Sequence, residues 1–310
     1  MNRREFVRNT VVAGVALKSA MAGPLAQPAP QDTGDTNGLM YVMFSKKLKE
    51  QSVEQLIESL KFVGADGVDL AVRPGYPVNP DNVGQALVPA ADRLRAAGLS
   101  ILMVTAPTDL TNASAPYTEP LFRACGEAKV PLIKLGYWGA PAEDYWGAVQ
   151  QMNADLGQFA DLGAKYGVKP CLHTHSGNNM ALNAAALMHI LRDFPPDRAG
   201  AYVDVGHLAV CGEPPALAFA MAAEWLSIVG CKDLDRVKTD DGATKTRTVP
   251  IGEGFVDWRQ VVNWLVKHDF KGPLTFHSEF PSPNAEHLLE QTKKDIAFIR
   301  DLERHARVAR

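Results

Sequence analysis

The sequence predicts an α/β chain closed into a (β/α)8 TIM barrel, and three observations carry that expectation. Short apolar runs alternate with longer amphipathic segments along the chain, eight times over. Residues 39–310 are long enough to bury one large core, and barrels of this length commonly form one unit. Finally, His173 and His175, Asp204 and His207, and His277 and Glu279 stand just where three of the apolar runs end. That is where a barrel gathers its reactive side chains.

The first strand is expected at Met40–Phe44, followed by a helix over Ser52–Val63 with Val53, Leu56, Ile57 and Leu60 on one face. Gly67–Leu70 is the second strand and Val83–Ala97 the next helix, with Leu99–Val104 and Tyr117–Ala128 repeating the unit. Leu132–Leu135 precedes a long helix at Asp144–Tyr166, and Val168–Leu172 precedes one at Ala181–Leu191. The remaining pairs are Ala201–Val203 with Pro215–Trp225, Leu226–Cys231 with Trp258–Lys267, and Pro273–Phe276 with Ala285–His305. The charged stretch Lys232–Pro250 is expected to be irregular, with Lys238, Lys245 and Arg247 candidates to close over a substrate. Gly252 and Gly254 set a turn; they match neither a Walker loop nor a dinucleotide fingerprint.

Met1–Ala22 reads as an export signal: Arg3 and Arg4, Phe6, a short apolar stretch Val11–Leu17 and the small-residue ending Ala20-Met21-Ala22. The run is too short to cross a bilayer, and the paired arginines resemble a twin-arginine signal, so a periplasmic or otherwise exported protein is expected. Residues 23–38 read as a flexible spacer, 39–310 as a single barrel domain, and no integral membrane segment is expected in the mature protein. Net charge is only -3 and no long basic run occurs, which argues against nucleic acid as a partner. Whether copies associate as a homo-oligomer is left open. The four cysteines lack metal-ligand spacing, and Cys171 and Cys231 fall inside apolar runs as small buried hydrophobes.

In a barrel, residues remote in sequence meet at the strands' C-terminal ends. His173 and His175 alternate by two, as do His277 and Glu279, so each pair can face one side of an extended segment. Carboxylates and imidazoles together suit a divalent metal, Mn, Co, Zn or Mg, although imidazole argues against magnesium alone. Such an ion would polarise a carbonyl while a carboxylate or imidazole removes a neighbouring proton. Lys134 and Lys232 can place ammonium groups over substrate oxygens, and Asp233 can anchor Lys232. Arg73 can meet a carboxylate or phosphate, and Asp69 ends the second strand. Tyr137, Trp138 and Trp146 lie near the expected mouth, where aromatic faces stack on sugar rings.

Tyr202-Val-Asp-Val-Gly-His207, Ile228-Val-Gly-Cys-Lys-Asp233, Val249-Pro-Ile-Gly-Glu-Gly254 with Val256-Asp-Trp258, and Leu274-Thr-Phe-His-Ser-Glu279 resemble the sugar phosphate isomerase/epimerase family of xylose isomerase-like TIM barrels. The resemblance implies a metal held by a carboxylate after strand five, an Asp after strand six, a His in strand seven and a Glu after strand eight. By position, Asp204 and Glu279 are then ligands and His207 lies close by, while His173 stands where the strand-five Glu is usual, with His175 following. The usual H-x-K-D of strand seven is here Gly230-Cys231-Lys232-Asp233, so the expected histidine is missing. The resulting metal set is His173, His175, Asp204 and Glu279, and the catalytic set is His175, His207, Glu279, Lys134 and Lys232. The implied activity is isomerisation or epimerisation of a sugar or related polyhydroxy carbonyl compound. The alternatives are a lyase or dehydratase acting on an oxidised sugar, and a barrel that binds carbohydrate without transforming it.

Overall fold

The computed structural model describes residues 38–309. The expected export signal, residues 1–22, and all but the last residue of the expected spacer lie outside the described residues. Strands β1 (Met40–Phe44), β2 (Gly67–Ala71), β3 (Ser100–Thr105), β4 (Leu132–Lys134), β5 (Lys169–His173), β6 (Gly200–Asp204), β7 (Leu226–Cys231) and β10 (Pro273–Phe276) pair in parallel into a closed barrel. β1 closes the ring by pairing with β2 on one side and β10 on the other. Around it run α1 (Val53–Val63), α2 (Val83–Ala96), α3 (Thr118–Glu127), α4 (Tyr145–Tyr166), α5 (Ala184–Leu191), α6 (Val205–Cys211), α7 (Pro215–Ala222), α8 (Trp258–Lys267) and α9 (Ala285–Val308). The predicted eight-unit barrel is the observed architecture.

Local chemistry places the helix ends. The Ser52 hydroxyl accepts from Gln55 N–H at 3.3 Å while the Gln55 side chain accepts from Ser52 N–H at 2.9 Å, a reciprocal cap that starts α1. Gly64, at φ 73°, supplies the left-handed residue that ends it. Leu56, Leu60 and Val63 then face the barrel, buried.

Two differences from expectation fall around β7. Residues Lys232–Pro250 are not irregular: β8 (Asp233–Lys238) and β9 (Thr244–Val249) form an antiparallel hairpin. Thr244, Thr246, Thr248 and Val249 are good strand formers, and Asp235 opposes Arg247, whose Nη2 reaches the carboxylate at 3.1 Å. The second difference is α6, a short helix directly after β6, started by the Asp204 side chain.

Strand alternation decides which residues enter the barrel. Met103, Leu132, Cys171, Tyr202 and Ile228 pack together in its interior. Two residues further along the same strands stand Thr105, Lys134, His173, Asp204 and Gly230. The apolar plug therefore gives way to a polar layer at the C-terminal end. All four cysteines carry free thiols. No helix among the described residues is long and apolar enough to cross a membrane.

Candidate active site

Three donors from three strands converge in the polar layer. His173 Nε2 lies 3.4 Å from Asp204 Oδ2, and His277 Nδ1 lies 3.7 Å from the same oxygen. One ligand atom from each residue lies within 4.8 Å of the other two, and all three residues are buried. Ligands bound at about 2.1 Å to a tetrahedral ion sit about 3.4 Å apart. His173 Nε2 and Asp204 Oδ2 are buried without a hydrogen-bond partner among the described residues, which is costly unless something else fills that coordination. The two spacings to Asp204, the donor types and the orphaned atoms therefore fit a divalent cation.

Surrounding groups hold each donor in place. Asp204 Oδ1 accepts from the N–H groups of Gly206 and His207 at 2.9 and 3.1 Å, capping α6 and turning Oδ2 toward the two histidines. Tyr137 bonds His173 Nδ1 through its hydroxyl at 3.0 Å, and the Tyr202 hydroxyl bonds His277 Nε2. In the tautomers that leave the lone pairs of His173 Nε2 and His277 Nδ1 open, both tyrosine oxygens accept. Burial holds His173 well below the ordinary imidazole range, and burial together with the Lys232 charge brings His277 down to about 4. Both rings are accordingly neutral at neutral pH, as metal ligands must be. Burial acts to raise Asp204, but His207, Lys232 and the two facing histidines hold its carboxyl well below the usual range.

The other predicted residues sit around this cluster. Glu279, expected as a ligand, stands outside it and pairs with Lys46 and, at 2.6 Å, with Lys232. Burial opposes its ionisation, yet Lys232, His277 and Lys46 together hold it strongly ionised. Lys232, at the end of β7, loses charge preference through burial but gains more from Asp204 and Glu279, so its ammonium is held above the ordinary lysine range. His175 also stands outside the three-donor cluster. Its ring stacks 4.0 Å from that of His207, and Nδ1 faces the Ser176 carbonyl at 2.8 Å. His207 Nδ1 bonds Ser176 Oγ at 2.8 Å while Nε2 lies 3.4 Å from Lys232 Nζ. Burial lowers both rings, His207 to about 3. Lys134 is fully buried over the Tyr137 ring.

Asp233 does not anchor Lys232. Its carboxylate accepts from the N–H groups of Leu234, Gly252, Gly254 and Val256 and from Trp258 Nε1, tying β7 to the turn before α8. The G-E-G-x-x-D-W segment is thus a structural latch. Asp69 lies inside β2, not at a mouth edge, accepting from Thr105 and Thr275.

The donor that the sequence reading left outside its metal set is His277. Its parity was available: Thr275 points into the barrel toward Asp69, so His277, two residues on, points inward too. Gly230 has an explanation in Tyr202. A Cβ built at Gly230 would lie 3.0 Å from Cα and Cβ of Asp204 and from Cε2 of Tyr202. The space a strand-seven side chain would need is taken by Asp204 and by the tyrosine that holds His277.

The architecture is a closed parallel barrel that carries, at its C-terminal mouth, a two-histidine, one-carboxylate cluster able to hold a metal ion. The chain belongs to the xylose isomerase-like TIM barrel family, whose model matches residues 63–302. Similar solved structures include a probable 3-DHS dehydratase of petrobactin synthesis from Bacillus anthracis, at 17% identity, covering 84% of this chain and 99% of that one, TM-score 0.66. A 3-keto-D-glucoside 4-epimerase from E. coli matches at 12% identity over 85% and 100% of the two chains, TM-score 0.66. D-psicose 3-epimerase from Clostridium cellulolyticum matches at 13% identity over 86% and 99%, TM-score 0.67. At such identities the likeness is one of fold. No curated protein sequence matches the chain.

Proposed function

We propose that the protein is a metal-assisted isomerase or epimerase of a sugar or related polyhydroxy carbonyl compound, working by removal of a proton beside the carbonyl. The observation that carries this reading is the cluster of His173 Nε2, Asp204 Oδ2 and His277 Nδ1, two of them buried and unpartnered. Two imidazoles and one carboxylate suit Zn, Co or Mn better than Mg. Held by these three residues, the cation would act as a Lewis acid on a carbonyl or hydroxyl oxygen.

His175 is the base in this reading, because it is neutral and only half-buried, and His207, held by Ser176 and lying against its ring, fixes its position. Glu279 is a weak base while two ammonium groups hold it ionised; its role is to aim Lys232. The Lys232 ammonium donates to the substrate oxygen as negative charge develops there. Return of the proton to the adjacent carbon, with the hydroxyl hydrogen passing between the two oxygens, isomerises; delivery of a proton to the opposite face of the first carbon epimerises; and loss of a neighbouring hydroxyl as water, taking up the abstracted proton, would make the same site a dehydratase. The fold neighbours, two epimerases and a probable dehydratase, support this range. Export through residues 1–22 belongs to the same proposal and favours an unphosphorylated substrate.

The test is deuterium incorporation from D2O into a panel of ketoses, aldoses and keto acids, followed by NMR with Mn, Co, Zn or Mg added. Exchange that disappears in Asp204→Asn is expected. Tight carbohydrate binding with no exchange under any metal would instead favour the non-catalytic barrel.

A further inference from the structure

Two cations beside the cluster, the buried Lys134 and the half-buried Arg73, have no hydrogen-bonding acceptor assigned to them among the described residues. Lys134, at the end of β4, is only 1% exposed, and its Nζ has no hydrogen-bond partner among the described residues. It lies 3.5 Å from the centre of the Tyr137 ring, whose hydroxyl bonds His173. Arg73 follows β2, with its guanidinium 5.6 Å over the Phe44 ring and its Nε buried and unpartnered among the described residues. The Phe44 ring in turn lies 4.8 Å from that of His277. Each cation is thus one aromatic ring away from a donor of the three-residue cluster.

The nearby carboxylate does not complete them. Asp69 spends Oδ1 on Thr105 at 2.7 Å and Oδ2 on Thr275 at 3.2 Å. A buried cation lacking an acceptor is expensive, and a strand end that keeps one invites an anion to complete it. We propose that Arg73 and Lys134 form a pocket for a carboxylate carried by the substrate, so that the compound handled is an acidic polyhydroxy carbonyl compound and not a neutral sugar. This rests on the metal-assisted reading only for what happens at the carbonyl end. A monoanion suits so enclosed a site better than a phosphate dianion, which costs more to strip of water, and burial and the Arg73 charge both act to loosen the Lys134 proton.

The test is calorimetric titration of the full chain, with and without Mn2+, using D-glucuronate and D-gluconate against D-glucose and D-glucose 6-phosphate. The acids should bind at least about tenfold more tightly than glucose, the size of one charge-assisted hydrogen bond. Lys134→Met and Arg73→Met should each remove about tenfold of that preference, read as the ratio of acid to glucose affinity in the same variant. Arg73→Lys, which keeps the charge, should restore part of it, and Lys134→Met should fold with a raised Tm. Equal binding of glucose, tighter binding of the phosphate, or full acid preference in both methionine variants would overturn the pocket. Mn2+ binding and deuterium exchange on neutral sugars without acid preference would remove the pocket and leave the metal reading. Acid preference that depends on Arg73 and Lys134 without Mn2+ binding would do the reverse.

Discussion

Asp69 converts the buried polar layer into a measurable pH dependence. Its carboxyl is raised from 3.8 to about 7, chiefly by burial, against which the hydrogen bonds from Thr105 and Thr275 and the charges of Arg73 and Lys134 act only in part. The folded state therefore binds this proton more tightly than the unfolded chain. Its contribution to stability is complete below pH 3.8 and is lost as pH rises through about 7. At about 1.4 kcal/mol for each tenfold change in proton affinity, the difference between 3.8 and about 7 amounts to about 4 kcal/mol. Asp69→Asn keeps the shape and the threonine contacts but cannot ionise. Urea unfolding of both proteins between pH 4 and pH 8 isolates the term as a difference, since every other titrating group is common to the pair. The wild type should lose about 4 kcal/mol relative to the variant over that range, most of it between pH 5 and 7. A difference that stays flat with pH would refute the assignment of a buried, protonatable Asp69.

Asp204→Asn retains Oδ1 as the cap of α6 but weakens the ligand, so the Tm rise produced by Mn2+ in wild type should vanish with little change in the metal-free Tm. Asp204→Ala also loses the cap and should cost about 1–2 kcal/mol in metal-free urea unfolding. Gly230→Ala forces a Cβ against Asp204 and Tyr202 and should destabilise by about 1–3 kcal/mol, again by urea midpoint. Asp233→Ala strips an acceptor from four backbone N–H groups and Trp258 Nε1; a loss of about 3 kcal/mol or more, with faster hydrogen exchange over residues 250–258 and unchanged Mn2+ affinity, is expected.

The barrel was readable because most wall strands are apolar runs followed by an amphipathic helix, a pattern that survives in a single sequence. The β8–β9 hairpin was not, because its charged, largely exposed strands bury only one end and leave little apolar alternation to detect. Helix α6 was hidden by its brevity: seven residues offer less than two turns of periodicity. At the site, the positions of His173 and Asp204 followed from where their strands stop. His277 needed strand parity, and the ion pairs that disarm Glu279 needed Lys46, a strand-end residue two positions past β1 whose partner only the fold brings near. The missing histidine at position 230 could be seen, but its cause lies in a neighbouring strand. Only the fold brings the Tyr202 ring over that glycine.

The interlock of Gly230 and Tyr202 has a consequence for the engineering of this barrel. A side chain at position 230 presses at 3.0 Å on Cα and Cβ of Asp204 as well as on the Tyr202 ring, and shrinking Tyr202 relieves only one of these while releasing the hydroxyl that orients His277. Either change leaves a protein with a disturbed donor set. For a designer, position 230 is therefore read together with positions 202 and 204, because a change at the glycine is felt by one donor and by the ring that orients another.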